Sequence, residues 1–162
     1  MSIGGFRVRV GVAADLEAVV ALERVVSEAP HWTEAEYAGI VAQYCGGVRR
    51  CLFVAEVEAK IVGFAVGKVI GAERDCLADL ESVVVDAAAR RGGVGRALCE
   101  AVVGWCRHQG ATAMELEVRA GSFGAIALYS GLGFEAVGRR GAYYEAPVED
   151  ALLMRLELAE TK

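Results

Sequence analysis

Apolar and polar positions alternate, shift to helical spacing and return to alternation several times along this chain. The run FRVRVGV at 6–12 alternates and predicts a strand. In DLEAVVALERVV at 15–26, Leu16, Val19, Val20 and Leu22 share one helix face, with Asp15 as N-cap. Thr33 and Glu36 form the capping box of a second helix that runs to about Tyr44. Two apolar runs at 51–58 and 60–70 predict a hairpin, and DLESVVVD at 79–86 a further strand. Beyond Gly95, Leu98, Ala101, Val102 and Trp105 fall at i, i+3, i+4 and i+7, a helix stripe. Arg107 and His108 suit that helix's C-terminus, and Gly110 stops it. AMELEVR at 113–119 reads as a strand, and 122–133 as a short helix between Ser122 as N-cap and Gly133 as a left-handed stop. Residues 134–140 and 151–158 close the chain as strands.

The order is β-α-α-β-β-β-α-β-α-β-β. It holds one strand–helix–strand crossover, which favours a right-handed parallel pair. The other neighbours read as antiparallel. The expectation is an α/β fold: a mixed, mostly antiparallel sheet with helices on its faces. At 162 residues, with no linker or repeat, residues 1–162 make one domain.

Composition narrows the function classes. A net charge of -5 argues against a general nucleic-acid binder, which needs a basic footprint. No apolar run reaches the roughly 18 residues that span a membrane, and the N-terminus carries no signal-peptide pattern. Five cysteines, Cys45, Cys51, Cys76, Cys99 and Cys106, show no C-x-x-C spacing. They read as reduced, buried thiols of a cytoplasmic protein rather than as a disulfide framework or zinc site. His31 and His108 lie far apart without cysteine or carboxylate company, so no metal is expected.

The densest signal is RRGGVGRAL at 90–98. It places three glycines and three arginines between a strand and a helix start, where free amides and the positive helix end gather around an anion. A diphosphate is the natural guest. The P-loop pattern fails, because Arg96 and Ala97 follow Gly95 where Lys and Ser/Thr are needed. The dinucleotide fingerprint fails as well, because Leu98 stands where its third small residue belongs. A tight turn with solvated arginines is the bland alternative.

The remaining pattern, Arg90-x-x-Gly93-x-Gly95 after VVVD, resembles the pyrophosphate loop of the GNAT family of acyl-CoA-dependent N-acetyltransferases. The resemblance implies the GNAT fold, splayed between its fourth and fifth strands, with acetyl-CoA as cosubstrate. It implies that backbone amides across Arg91, Gly92, Gly93, Val94, Gly95 and Arg96 hold the pyrophosphate. It also implies that the edge of Val83, Val84 and Val85 pairs with the pantetheine arm. LEVRAGSFGAIALYSGLGF at 116–134, RRGAYY at 139–144 and PHWTEAEY at 30–37 resemble the RimI-type subgroup, bacterial enzymes that acetylate the N-terminal alanine of a small-subunit ribosomal protein. His31 is an extra residue in the last of these, and Ser122 stands where the subgroup carries a cofactor-contacting Asn.

In MELEVR, Glu115, Glu117 and Arg119 face away from Met114, Leu116 and Val118. Alternation inside a β-α-β run points to a face open to a wet cleft, or simply to an exposed acidic face. The resemblance implies that Glu117 is the general base and Tyr129, twelve residues on, the acid. Glu81 is a second candidate base, because other GNAT members carry theirs on the preceding strand. A backbone N–H near Val85 could polarise the thioester carbonyl. By itself Tyr129 reads first as a core tyrosine packed at helical spacing with Ile126 and Leu132. Tyr143 and Tyr144 read either as a strand-end pair or as lining of a peptide pocket. The reaction expected is acetyl transfer to a primary amine, the N-terminal amine of a protein such as a ribosomal one. Transfer to a lysine or small-molecule amine, and a non-catalytic acyl-CoA sensor, are the alternatives.

Overall fold

The computed structural model describes residues 5–25, 32–41, 47–71, 76–145 and 147–158. Its strands are β1 (Phe6–Val10), β2 (Val48–Val57), β3 (Lys60–Ile70), β4 (Cys76–Val85), β5 (Ala111–Arg119), β6 (Glu135–Tyr144) and β7 (Glu149–Glu157). Its helices are α1 (Leu16–Val25), α2 (Glu34–Val41), α3 (Val94–His108) and α4 (Phe123–Gly131). The element order is the expected one. His31, Cys45 and the predicted end of the second helix at Tyr44 lie outside the described residues.

Thr33 and Glu36 form the expected capping box: the Thr33 amide donates to Glu36 Oε1 at 2.9 Å, and the Glu36 amide to Thr33 Oγ1 at 3.2 Å. Asp15 plays a different part from the expected N-cap. It ends a short 3-10 turn (Ala13–Asp15) that leads into α1, and its carboxylate accepts the Val12 amide at 2.8 Å. Arg9 grips the same carboxylate with two bonds of 2.8 and 2.9 Å. Gly133 has φ +103 after α4, the expected left-handed stop.

The seven strands form one sheet in the order β1-β2-β3-β4-β5-β7-β6. β4 and β5 run parallel, and every other neighbouring pair is antiparallel. Helices α1 and α2 cover one face, where Leu16, Val19, Tyr37 and Ile40 pack on Leu52, Val54, Phe64 and Val66. Helix α3 covers the other with Leu98, Val102 and Cys106, and α4 leans on the same cluster. Gly67 permits the close approach of α3, because a Cβ there would collide with Val102. Among the described residues no helix is long and apolar enough to cross a membrane.

The sheet is interrupted between β4 and β5. The β4–β5 ladder ends at Asp79↔Glu115. Beyond it β4 stays paired to β3 as far as Val85↔Gly63, and β5 to β7 as far as Arg119↔Ala151. Each strand is held by its outer neighbour, so residues 80–85 and 116–119 part from each other. The sheet is splayed between its fourth and fifth strands.

Candidate active site

The splay opens a cleft of about 780 Å³. Ladder alternation fixes what its edges offer. Asp86 donates to Val62 O at 2.8 Å, so even-numbered residues here turn their backbone groups toward β3. Val83 and Val85 therefore turn theirs into the gap. Likewise Ala120 donates to Asp150 O at 2.9 Å, which leaves Glu117 and Arg119 turned into the gap from β5. Arg90 Nε reaches Val85 O at 3.2 Å, so that carbonyl has a partner within the chain.

The glycine turn forms one end of the cleft. Gly93 is the N-cap of α3 with φ +87 and has no side chain to cap the first-turn amides. Arg91 also sits in the left-handed region at φ +67. A turn of this shape makes a concavity of backbone N–H groups suited to an anion, and the amides of Val94, Gly95 and Arg96 lack helical partners by position. Glycine is needed at 93 for its φ. At Gly95 a Cβ would meet Leu128 at 3.4 Å and Val85 at 3.6 Å, ordinary contacts with the protein itself. That Cβ would stand between two cleft-lining residues.

Val83, Val84, Val85, Arg91, Gly93, Gly95, Arg96, Glu117, Ser122 and Tyr129 all line this one cleft. Gly92 and Val94 belong to the turn but do not line it, and the Val94 side chain is buried in the core. Ser122 occupies the N-cap position of α4, but its hydroxyl does not cap the helix. Helix α4 is apolar yet has no fully buried residue, because one flank forms the cleft wall. Tyr129 packs edge-on to Phe134 at 6.0 Å and also lines the cleft.

Glu117 projects from β5 between buried Leu116 and Val118. Tyr143 donates its hydroxyl to Glu117 Oε1 at 3.2 Å. Arg140 Nε lies 2.7 Å from Oε2, a close ion pair, although no donor hydrogen is directed at that buried oxygen. The Glu117 charge, and then its hydrogen bond, hold the Tyr143 phenol above its ordinary pKa. Burial foremost raises Tyr144, whose ring carries the Arg119 guanidinium 4.4 Å from its centroid. Glu81 also lines the cleft but is engaged by Arg50 at 2.8 Å and Lys68 at 3.5 Å.

Arg140 was missed in the sequence. RRGAYY marked the two tyrosines, but nothing in its pattern says which arginine turns inward. Cys51, Cys76, Cys99 and Cys106 are buried and in no disulfide. Burial pushes the Cys51 and Cys99 thiols up to about 12, which removes them as nucleophiles near neutral pH. Among the described residues no group of three or more His, Cys, Asp or Glu is placed to hold a metal ion.

The splayed β4–β5 pair and the amide-lined turn at the start of α3 thus enclose one cleft, with Glu117 and Tyr129 both in its lining. Residues 17–134 match the acetyltransferase (GNAT) family, and the chain belongs to it. The chain is 33% identical over 147 residues to the ribosomal protein bS18-alanine N-acetyltransferase of Escherichia coli K12, covering 90% of this chain and 93% of that protein. The crystal structure of the Escherichia coli ribosomal-protein-S18-alanine N-acetyltransferase superposes with a TM-score of 0.77 at 29% identity, covering 97% of this chain and 96% of that one. NAA60 of Arabidopsis thaliana in complex with acetyl-CoA shares the fold, with a TM-score of 0.79 at 19% identity over 94% of this chain and 98% of that one.

Proposed function

We propose that this N-acetyltransferase moves acetyl from acetyl-CoA to the N-terminal α-amine of a protein, an alanine on a ribosomal protein being the acceptor best supported. The single observation that carries this reading is the convergence of Glu117, Tyr129 and the glycine turn on one cleft at the splay. The similarity to alanine N-acetyltransferases over 90% of the chain supports the choice of acceptor. The four cysteines among the described residues are buried and in no disulfide, which fits a reducing, cytoplasmic setting.

The first-turn amides of α3, with Arg91 and Arg96 beside them, would hold the pyrophosphate of coenzyme A. Val83 and Val85 present backbone groups along which the pantetheine arm would lie, and Ser122 faces it from α4. Bound acetyl-CoA supplies an acetyl group on a thioester. The Val85 N–H, turned into the gap, would stabilise developing negative charge on the carbonyl oxygen. Glu117 takes a proton from the acceptor ammonium, directly or through one water. An α-amine has a pKa of about 7.7–8.0, so only a modest base is required. Tyr129 gives its phenolic proton to the departing sulfur. Tyr143 and Tyr144 stand beside Glu117 on β6 and would flank the acceptor's first residues.

The test is thiol release from acetyl-CoA against a panel of N-terminal peptides, polyamines and aminoglycosides. Turnover with peptides carrying a free N-terminal alanine supports the reading. Turnover confined to the small amines would replace it with small-molecule acetylation, and no turnover with any acceptor would favour a sensor.

A further inference from the structure

The partner that Glu117 already has carries a consequence for how the acceptor enters. β6 and β7 lose register between Arg140↔Ala151 and Tyr144↔Glu149, so residues 141–143 bulge opposite the single residue Asp150. Asp150 holds the bulge in place. Its Oδ1 accepts the Ala142 amide at 2.9 Å and its Oδ2 accepts Arg139 Nε at 2.7 Å. Ala142 sits at φ +49, a left-handed conformation that a non-glycine residue keeps only when its surroundings hold it there. Bulges of this kind re-aim side chains. This one delivers the Tyr143 hydroxyl and the Arg140 guanidinium to the two oxygens of Glu117.

The neighbouring cations are committed elsewhere: Arg139 to Asp150, Arg119 to Glu149 and Arg155 to Glu115. Arg140 is also largely exposed, so it can leave Glu117 without breaking the core. Resting on the reading of Glu117 as the base, we infer that Arg140 holds the place of the acceptor's ammonium in the empty enzyme. Acceptor binding then exchanges one cation on Glu117 for another. The carboxylate is neutralised at every stage, and a neutral nucleophile such as water has nothing with which to displace Arg140. Without Arg140, Glu117 could take a proton from water. The water oxygen would then bond to the acetyl carbon as the C–S bond breaks, and Tyr129 would protonate the sulfur, giving acetate and coenzyme A.

The experiment measures peptide affinity by calorimetry with coenzyme A present, for the parent, Arg140→Gln and Arg140→Lys. The two peptides are a free N-terminal alanine peptide and its N-acetylated form. Arg140→Gln is expected to bind the free-amine peptide about two- to fivefold more tightly, the scale of a half-exposed ion pair. The acetylated peptide should show no gain, and Arg140→Lys should stay near the parent. Acceptor-free thiol release should rise by a similar factor in Arg140→Gln alone. Weaker or unchanged binding of the free-amine peptide by folded Arg140→Gln would overturn the inference, as would an equal gain for both peptides. Glu117→Gln keeps the two readings apart. Its kcat tests the base directly, while its combination with Arg140→Gln should erase the affinity gain whatever its kcat.

Discussion

The roles proposed for Glu117 and Tyr129, base and acid, are separable from cofactor binding. Glu117→Gln keeps the shape and loses the base; Tyr129→Phe keeps the packing against Phe134 and loses the acid. General acid–base groups contribute about 10²–10⁴ in rate. Each change is expected to lower kcat by a factor in that range and leave acetyl-CoA affinity near the parent value, as steady-state kinetics and calorimetry would show. Glu81→Gln, which loosens the pairs to Arg50 and Lys68, is expected to keep most of kcat. Loss of kcat in Glu81→Gln with none in Glu117→Gln would move the base to β4. Asp15 makes a separate prediction about stability. Hydrogen bonding from Arg9 foremost, and from the Val12 amide, holds its pKa below the ordinary 3.8. A depressed carboxylate stabilises the fold above its unfolded pKa and loses that effect as pH falls through the folded one. Asp15→Asn is therefore expected to cost about 1–3 kcal/mol at pH 7. In urea melts across pH the gap should close below about pH 3.8.

At the scale of elements, the turn that opens α3 is the proposed seat of the cofactor. Gly93→Ala forces a side chain into a left-handed conformation, at roughly 1–2 kcal/mol. A Cβ at Gly95 makes only ordinary contacts with Leu128 and Val85, so Gly95→Val is expected to fold like the parent while its side chain fills space beside the first-turn amides of α3. Calorimetry should find acetyl-CoA binding weakened at least about tenfold in that variant; unchanged affinity in a folded Gly95→Val would remove the turn from the cofactor site. Elements whose apolar pattern is local were legible in the sequence. The alternation of Met114, Leu116 and Val118 and the capping box at Thr33 read directly. The starts of β1 at Phe6 and β3 at Lys60 were legible too, but other strand starts were not. β2 begins at Val48 rather than Cys51, because Arg49 and Arg50 join the ladder as polar residues that pair with other elements. The β6 bulge was also invisible, since it depends on Asp150, a residue on another strand.

At the scale of the molecule, the splay turns an ordinary mixed sheet into an enzyme. No residue pattern announces it; it follows from β4 and β5 each preferring its outer neighbour past Asp79↔Glu115. The sequence pointed to it only through family resemblance, and the same holds for the ribosomal acceptor. A net charge of -5 is compatible with a basic protein partner. A lysine amine near 10.4 would ask far more of Glu117 than an α-amine does. The decisive measurement uses two peptides from the organism's own ribosomal protein, incubated with enzyme and acetyl-CoA and mapped by mass spectrometry. One has a free N-terminal alanine; the other is blocked there and keeps its lysines. A single acetyl on the α-amine of the first peptide, with the second unchanged, is the expected result. Acetyl groups only on the lysines of the blocked peptide would contradict the assignment of the acceptor.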